Sequence, residues 1–163
     1  MKFNSHGFTM VEMLIVVVIM AILLSLATLQ FNSMQAKSSI ETQTRELLAD
    51  LSDARLGAIQ TKGSRTVILN PTSAMFRSYT TNEPVTLTTG KLLFTKNFKN
   101  SISTAGNIGF NSNGFTNDFD NTFTSNQTIS VQPSGTAAAI DCLVISMTKI
   151  NLGKYNNGSC VFQ

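Results

Sequence analysis

The chain has 163 residues, a formal net charge of +3 and 13% charged residues, room for one membrane helix plus one domain of about 100 residues with a modest core. The basic excess lies after residue 63, where seven Lys/Arg face four Asp/Glu; before it five face five. So thin an excess excludes the dense basic clusters of a dedicated nucleic-acid binder, and one histidine (His6) with two cysteines that form no Cys-x-x-Cys pair excludes a zinc-type ligand set.

In chain order, the first feature is Gly7-Phe8-Thr9-Met10-Val11-Glu12, which runs into the unbroken apolar stretch Met13–Leu24 and on to Leu29. From Phe8 to Leu29 a helix rises about 33 Å against a hydrocarbon core of about 30 Å. A carboxylate in such a span costs roughly 3 kcal/mol at the bilayer centre and less near an interface, so it needs a partner. Three readings compete. A secretory signal peptide takes Lys2 as its basic end and Ser25-Leu26-Ala27 as its cleavage site, but Glu12 heads its apolar core and the helical pattern continues past residue 27. A plain single-span anchor leaves Glu12 alone. The third begins at Gly7, which threads easily into a protease site because it lacks a Cβ. Cutting after Gly7 creates an α-amino group on Phe8. Glu12 lies four residues further, one helical turn away. Amine and carboxylate then neutralise one another, and between staggered helices the pair locks their register.

The segment Gly7-Phe8-Thr9-Met10-Val11-Glu12-Met13-Leu14-Ile15-Val16-Val17 resembles the class III signal of type IV pilins and type II secretion pseudopilins, written G-F-T-L-[IV]-E-[LV]-[ML]-[IV]-V. The resemblance implies that a prepilin peptidase cuts between Gly7 and Phe8 and methylates the amine of Phe8. It implies that Glu12 guides the subunit into a growing filament. His6 departs from the Lys or Arg more usual before the glycine.

Beyond the apolar span, Ile40, Thr44, Leu47, Leu51, Ala54 and Ala58 recur at steps of three and four, with Leu48 and Ile59 widening the stripe. Lys37, Glu41, Arg45, Asp50, Asp53 and Gln60 fill the other face, and Glu41 and Arg45 are spaced for an i,i+4 ion pair. No proline precedes Pro71. The spacing predicts one helix from about Met10 to Lys62, stopped by Gly63. The segment Leu47–Lys62 followed by Arg65–Leu69 is similar to the GspH/FimT subgroup of pseudopilins, with Leu51, Ala54, Arg55, Ala58 and Ile59 matching its Leu-x-x-Ala-Arg-x-x-Ala-Ile pattern. These residues read as helix-to-sheet packing, with Arg55 capping or bracing the interface.

From Ser64 onward the composition turns to Thr, Val, Ile, Phe, Asn and Gly. Strands are expected at 65–70, 75–80, 92–98, 107–110, 128–132, 140–147 and 149–155. Asn70-Pro71, Thr89-Gly90, Asn113-Gly114, Pro133-Ser-Gly135 and Asn156-Asn-Gly158 separate them. Residues 100–128, rich in Asn, Ser, Thr and Gly, read as an irregular region anchored by aromatics (Phe110, Phe115, Phe119, Phe123) or as a variable contact surface. Ile108-Gly-Phe-Asn-Ser-Asn-Gly114 resembles the I-x-F-x-x-x-G segment of the GspH/FimT domain. Cys142 and Cys160 form a disulfide if this part lies outside the cytoplasm; two separately buried thiols are the cytoplasmic alternative.

No catalytic constellation is present, and neither cofactor nor metal is expected. Asp118 and Asp120, with Asn117 and Asn121, form at most a weak calcium loop and read as a solvated one. Asn126-Gln-Thr128 and Asn157-Gly-Ser159 fit an N-glycosylation pattern and are expected to be idle. Some FimT-type relatives resemble DNA receptors that use arginines in the last hairpin. Here that region offers Lys149, Lys154 and Tyr155, groups able to touch phosphates and stack a base, but no arginine.

The expected architecture is α+β: a leader at 1–7, a transmembrane or filament-core helix at 8–29, an amphipathic helix half at 30–63 and a GspH/FimT-like β domain at 64–163. The expected role is a structural one, a minor pilin or pseudopilin of a type IV pilus or type II secretion pseudopilus. Its partners would be other pilins, the prepilin peptidase, the inner-membrane assembly platform and membrane lipid, with the β domain on the periplasmic side. The alternatives are a tip-located, DNA-binding uptake pilin and an enzyme on a membrane stalk, which no residue favours.

Overall fold

A computed structural model describes residues 7–80, 85–86, 88–103, 106–117, 125–133, 137–156 and 158–162, with backbone alone for 26–29. The protein is α+β: a long N-terminal helix, α1 (Met10–Thr61), is followed by an antiparallel β domain. The chain divides by packing into Met1–Ala36 and Lys37–Gln163. The compositional boundaries at residues 30 and 64 therefore do not coincide with the packing boundary, because the amphipathic half of the helix is part of the β domain's core.

In the first unit α1 is apolar on every side from Met13 to Leu24, and Phe8 and the large apolar residues from Met10 to Leu24 are exposed. It is the one described helix long and apolar enough to cross a membrane. It runs without a break through Ser25 and Thr28. The Ser25 hydroxyl donates to the Ile22 carbonyl at 2.7 Å, one of the ways a small hydroxyl residue is satisfied inside an apolar helix.

In the second unit the stripe at Ile40, Leu47, Leu51, Ala54 and Ala58 is buried, as its 3.6-residue period requires. It packs in one core cluster with Val67, Leu69, Phe76, Phe110, Ile129, Leu143 and Ile145. Five strands form the first sheet: β1 (Ser64–Asn70), β2 (Ser73–Tyr79), β3 (Lys91–Asn97), β4 (Ile108–Phe110) and β5 (Thr116–Asn117), in the order β3-β2-β1-β4-β5. Four form the second: β6 (Gln127–Ser130), β7 (Cys142–Ile145), β8 (Ile150–Asn156) and β9 (Ser159–Phe162), in sequence order. Every pairing is antiparallel. The sheets are stitched by an Ile102–Val131 bridge and by the Thr116 N–H donating to the Met147 carbonyl at 2.9 Å.

Two strands lie outside those expected. β5 has two residues and no pattern to read. β9 carries the signal of Asn156-Asn-Gly158 followed by Ser-Cys-Val-Phe162, a turn with an apolar run behind it.

One helix-level expectation is corrected, and the stop at Gly63 is refined. Glu41 does not pair with Arg45; its carboxylate accepts the Ala139 backbone N–H at 2.8 Å, which draws it off the helix surface. Gly63 is not the left-handed residue that ends α1. Lys62 takes that conformation, at φ 51°. The Lys62 N–H donates to the Ile59 carbonyl and the Gly63 N–H to the Ala58 carbonyl, the paired bonds of a Schellman ending. Gly63 is glycine for another reason: a Cβ there would lie 2.5 Å from the Tyr79 carbonyl oxygen.

Candidate assembly site at the start of the helix

Gly7, Phe8 and Thr9 precede the first helical residue, and among the described residues nothing lies within 4 Å of where a Gly7 side chain would be. Phe8 is 82% exposed. No described residue covers the peptide bond between Gly7 and Phe8. The helix begins at Met10 because Thr9 caps it. The Thr9 hydroxyl accepts the Glu12 N–H at 3.2 Å, and the Glu12 carboxylate accepts the Thr9 N–H at 2.8 Å and the Thr9 hydroxyl at 3.0 Å. The Thr9 carbonyl already accepts the Met13 N–H. This is a reciprocal capping box, Thr-x-x-Glu, satisfying two otherwise orphaned helix-end donors.

Glu12 thus has a partner inside its own helix, one that the sequence reading missed although the Thr9 to Glu12 spacing spells it. The cap places the carboxylate at the positive end of the helix dipole, four residues from the Phe8 nitrogen. An ammonium created at Phe8 by cleavage would face a carboxylate already held in place.

The remaining predicted residues lie elsewhere. Cys142 and Cys160 form a disulfide, with Cα atoms 6.0 Å apart. It joins β7 to β9 across the intervening β8, and Gly153 makes the crossing feasible: a Cβ there would lie 2.7 Å from the Cys160 sulfur and 2.5 Å from the Val161 carbonyl oxygen.

Lys149 is exposed in the tight turn closed by the Ser146 N–H and the Lys149 carbonyl. Lys154 and Tyr155 lie at the far end of β8, about 16 Å away at the rise of a strand. The Lys154 ammonium bonds the Asp141 carboxylate at 3.0 Å and the Ala138 carbonyl at 2.6 Å, and the Tyr155 N–H bonds the other Asp141 oxygen at 2.5 Å. Asp141 is fully buried, so Lys154 neutralises a charge that could not stay buried alone. An acid inside the run Ile140-Asp-Cys-Leu-Val-Ile145 is the signal that could have revealed it. The structure therefore does not gather Lys149, Lys154 and Tyr155 into one patch.

Arg55 donates to the Thr148 carbonyl at 2.6 Å, bracing the helix against the β7–β8 turn. Gly114 packs against Ile59 and the Arg55 guanidinium, in a turn whose φ of +79° suits glycine. The Asn111 carboxamide oxygen accepts the Asn113 and Phe115 N–H groups there. No group of three His, Cys, Asp or Glu able to hold a metal occurs among the described residues. Asn117 is buried in β5; Asp118, Phe119, Asp120, Asn121, Phe123 and Asn157 lie outside the described residues, as do His6 and the rest of the leader before Gly7.

None of the curated proteins and none of the solved structures compared with this chain matches it. Residues 2–28 match the family model of the prokaryotic N-terminal methylation motif. That motif implies processing by a prepilin peptidase and assembly with other pilins, and together with the long apolar helix it fits a membrane-anchored, type IV pilin-like protein.

Proposed function

We propose that this chain is a minor pilin or pseudopilin, a structural subunit of a type IV pilus or type II secretion pseudopilus. The observation that carries the reading is the Gly7–Phe8 bond, covered by no described residue, beside the capped carboxylate of Glu12, inside the matched motif. In this reading the peptidase removes residues 1–7 and methylates the new amine of Phe8. Residues 8–29 hold the subunit in the inner membrane until the assembly platform extracts it. Glu12 then exchanges its helix-capping partner for the amine of a neighbouring subunit, which pays for the loss of lipid and sets the stagger between helices. The disulfide supports placing residues 64–163 outside the cytoplasm. The Arg55 brace and the Gly114 turn support the GspH/FimT subgroup.

Intact-mass and N-terminal analysis of the membrane-extracted protein tests this. The expected start is Phe8 carrying one methyl group; a start at Thr28 overturns the reading in favour of a signal peptide. Glu12→Ala is expected to be cleaved as the wild type is, yet absent from sheared filaments. Normal incorporation of that variant contradicts the role given to the carboxylate.

A further inference from the structure

Among the described strands β3, β5, β6 and β9 end the two sheets, and β3 has the wrong composition for an open edge. β3 (Lys91–Asn97) ends its sheet. Leu92, Leu93 and Phe94 are 47%, 39% and 46% exposed. Isolated exposed apolar residues are ordinary, but three in succession along an unpaired ladder make a template for another strand.

Beneath this edge is a cavity of about 70 Å³ lined by Asp53, Ala54, Arg65, Phe76 and Phe94, among others. Alternation along the strands puts Phe94 on the side facing α1, since Lys96, two residues on, reaches Glu46 and Asp50 of the helix at 3.1 and 2.7 Å. The Phe94 ring stacks on Phe76 with centroids 4.3 Å apart. Arg65 lies on the same side, its guanidinium against the bare Cα of Gly57. Its Nε is buried without a hydrogen-bond partner, and Arg65 forms no ion pair among the described residues. A half-buried guanidinium with an unmet N–H requires an acceptor, and a carboxylate matches its fork.

Charge selects the occupant. Lys96 is already neutralised by Asp50 and Glu46. Those two carboxylates and Asp53 stand against Lys96, Arg65, Arg77 and the exposed Lys91 and Lys99, three anions to five cations, a net positive rim. A second copy of this chain would bring the same cations to the same edge. We propose that the β3 edge is a docking site for an extended, acidic segment of a partner protein. The segment would add a strand beside β3, cover Leu93 and Phe94, and send a carboxylate into the cavity to Arg65.

The test uses the full chain in detergent micelles and three fluorescent peptides of about nine residues. The first alternates valine with glutamate, so that all carboxylates share one face of a strand. The second replaces glutamate by lysine. The third is the glutamate peptide with alternate backbone nitrogens methylated, which removes the ladder hydrogen bonds but keeps the charge. Anisotropy titration is expected to show the first peptide binding at least about tenfold more tightly than either of the others. Arg65→Gln should narrow the glutamate-over-lysine preference, and Phe94→Thr, a change at an exposed position, should weaken binding of the first peptide. The proposal is overturned by equal binding of the glutamate and lysine peptides, by undiminished binding of the methylated peptide, or by no binding of any. It is also overturned if the chain self-associates at the same concentrations and Phe94→Thr abolishes that, since the occupant would then be a second copy.

Discussion

Lys96 shows how one side chain links β3 to the helix, and its titration makes the link measurable. Burial pulls the ammonium's pKa down, but the hydrogen bonds and charges of Asp50 and Glu46 outweigh it, and the result is raised above the ordinary 10.5. A raised folded-state value means that the ammonium's contribution is complete below the unfolded value and disappears as pH climbs through the folded one. The stability advantage of the wild type over Lys96→Met should therefore be constant from neutral pH to about pH 9 and shrink above about 10.5. Urea unfolding across that range checks it; an advantage that shrinks already near neutrality would show that the pair is not what Lys96 contributes. Gly153 is the second informative residue. In Gly153→Ala the new methyl meets the Val161 carbonyl and the Cys160 sulfur, neither a flexible side-chain end. A loss of about 2–3 kcal/mol is expected, as for overpacking against fixed atoms, read from the denaturant midpoint with the disulfide intact.

At the scale of the element, α1 was largely legible because its period is long and uninterrupted: the buried stripe at Ile40, Leu47, Leu51, Ala54 and Ala58 is the one its spacing predicts. Its ends were less so. The N-terminal Thr-x-x-Glu was open to reading as a cap and was read for its charge alone. At the C-terminus the glycine was visible, but the reason for it is the Tyr79 carbonyl that crowds Gly63, and no local pattern announces a contact sixteen residues away. Glu41 failed similarly: its spacing to Arg45 suits a pair, yet the Ala139 N–H takes the carboxylate. Since Lys62 holds a positive φ at a position that favours glycine, Lys62→Gly relieves a cost of roughly 1–2 kcal/mol and adds some unfolded-state entropy. A net stabilisation of about 0.5–1 kcal/mol is expected from the thermal or urea midpoint. Destabilisation would mean that the lysine side chain contributes more than its backbone costs.

The whole molecule divides into parts with different tasks. The stretch that carries the processing motif lies in Met1–Ala36, and the disulfide lies in Lys37–Gln163. The sequence showed seven of the strands through β-branched runs between turns, while its changes of composition, near residues 30 and 64, fall on either side of the packing boundary. It did not show the order β3-β2-β1-β4-β5, because strand order depends on which apolar faces meet, and it did not show the Asp141–Lys154 pair, which forms only when β7 and β8 align. The division makes the last expectation separable into two readouts. The closed loop spans 18 residues, and removing such a cross-link by the double change Cys142→Ser and Cys160→Ser costs about 3 kcal/mol on chain-entropy grounds. The loss should be concentrated in β7, β8 and β9, whose amides should exchange faster with deuterium than those of β1 and β2. Cleavage after Gly7 should be untouched, because Thr9, Glu12 and the Gly7–Phe8 bond owe nothing to the sulfur bridge. Intact mass of the membrane-extracted double variant should therefore show the same start as the wild type while its denaturation midpoint falls. A variant that keeps its leader would show that a folded β domain is required for processing, and that the two units are not independent in function.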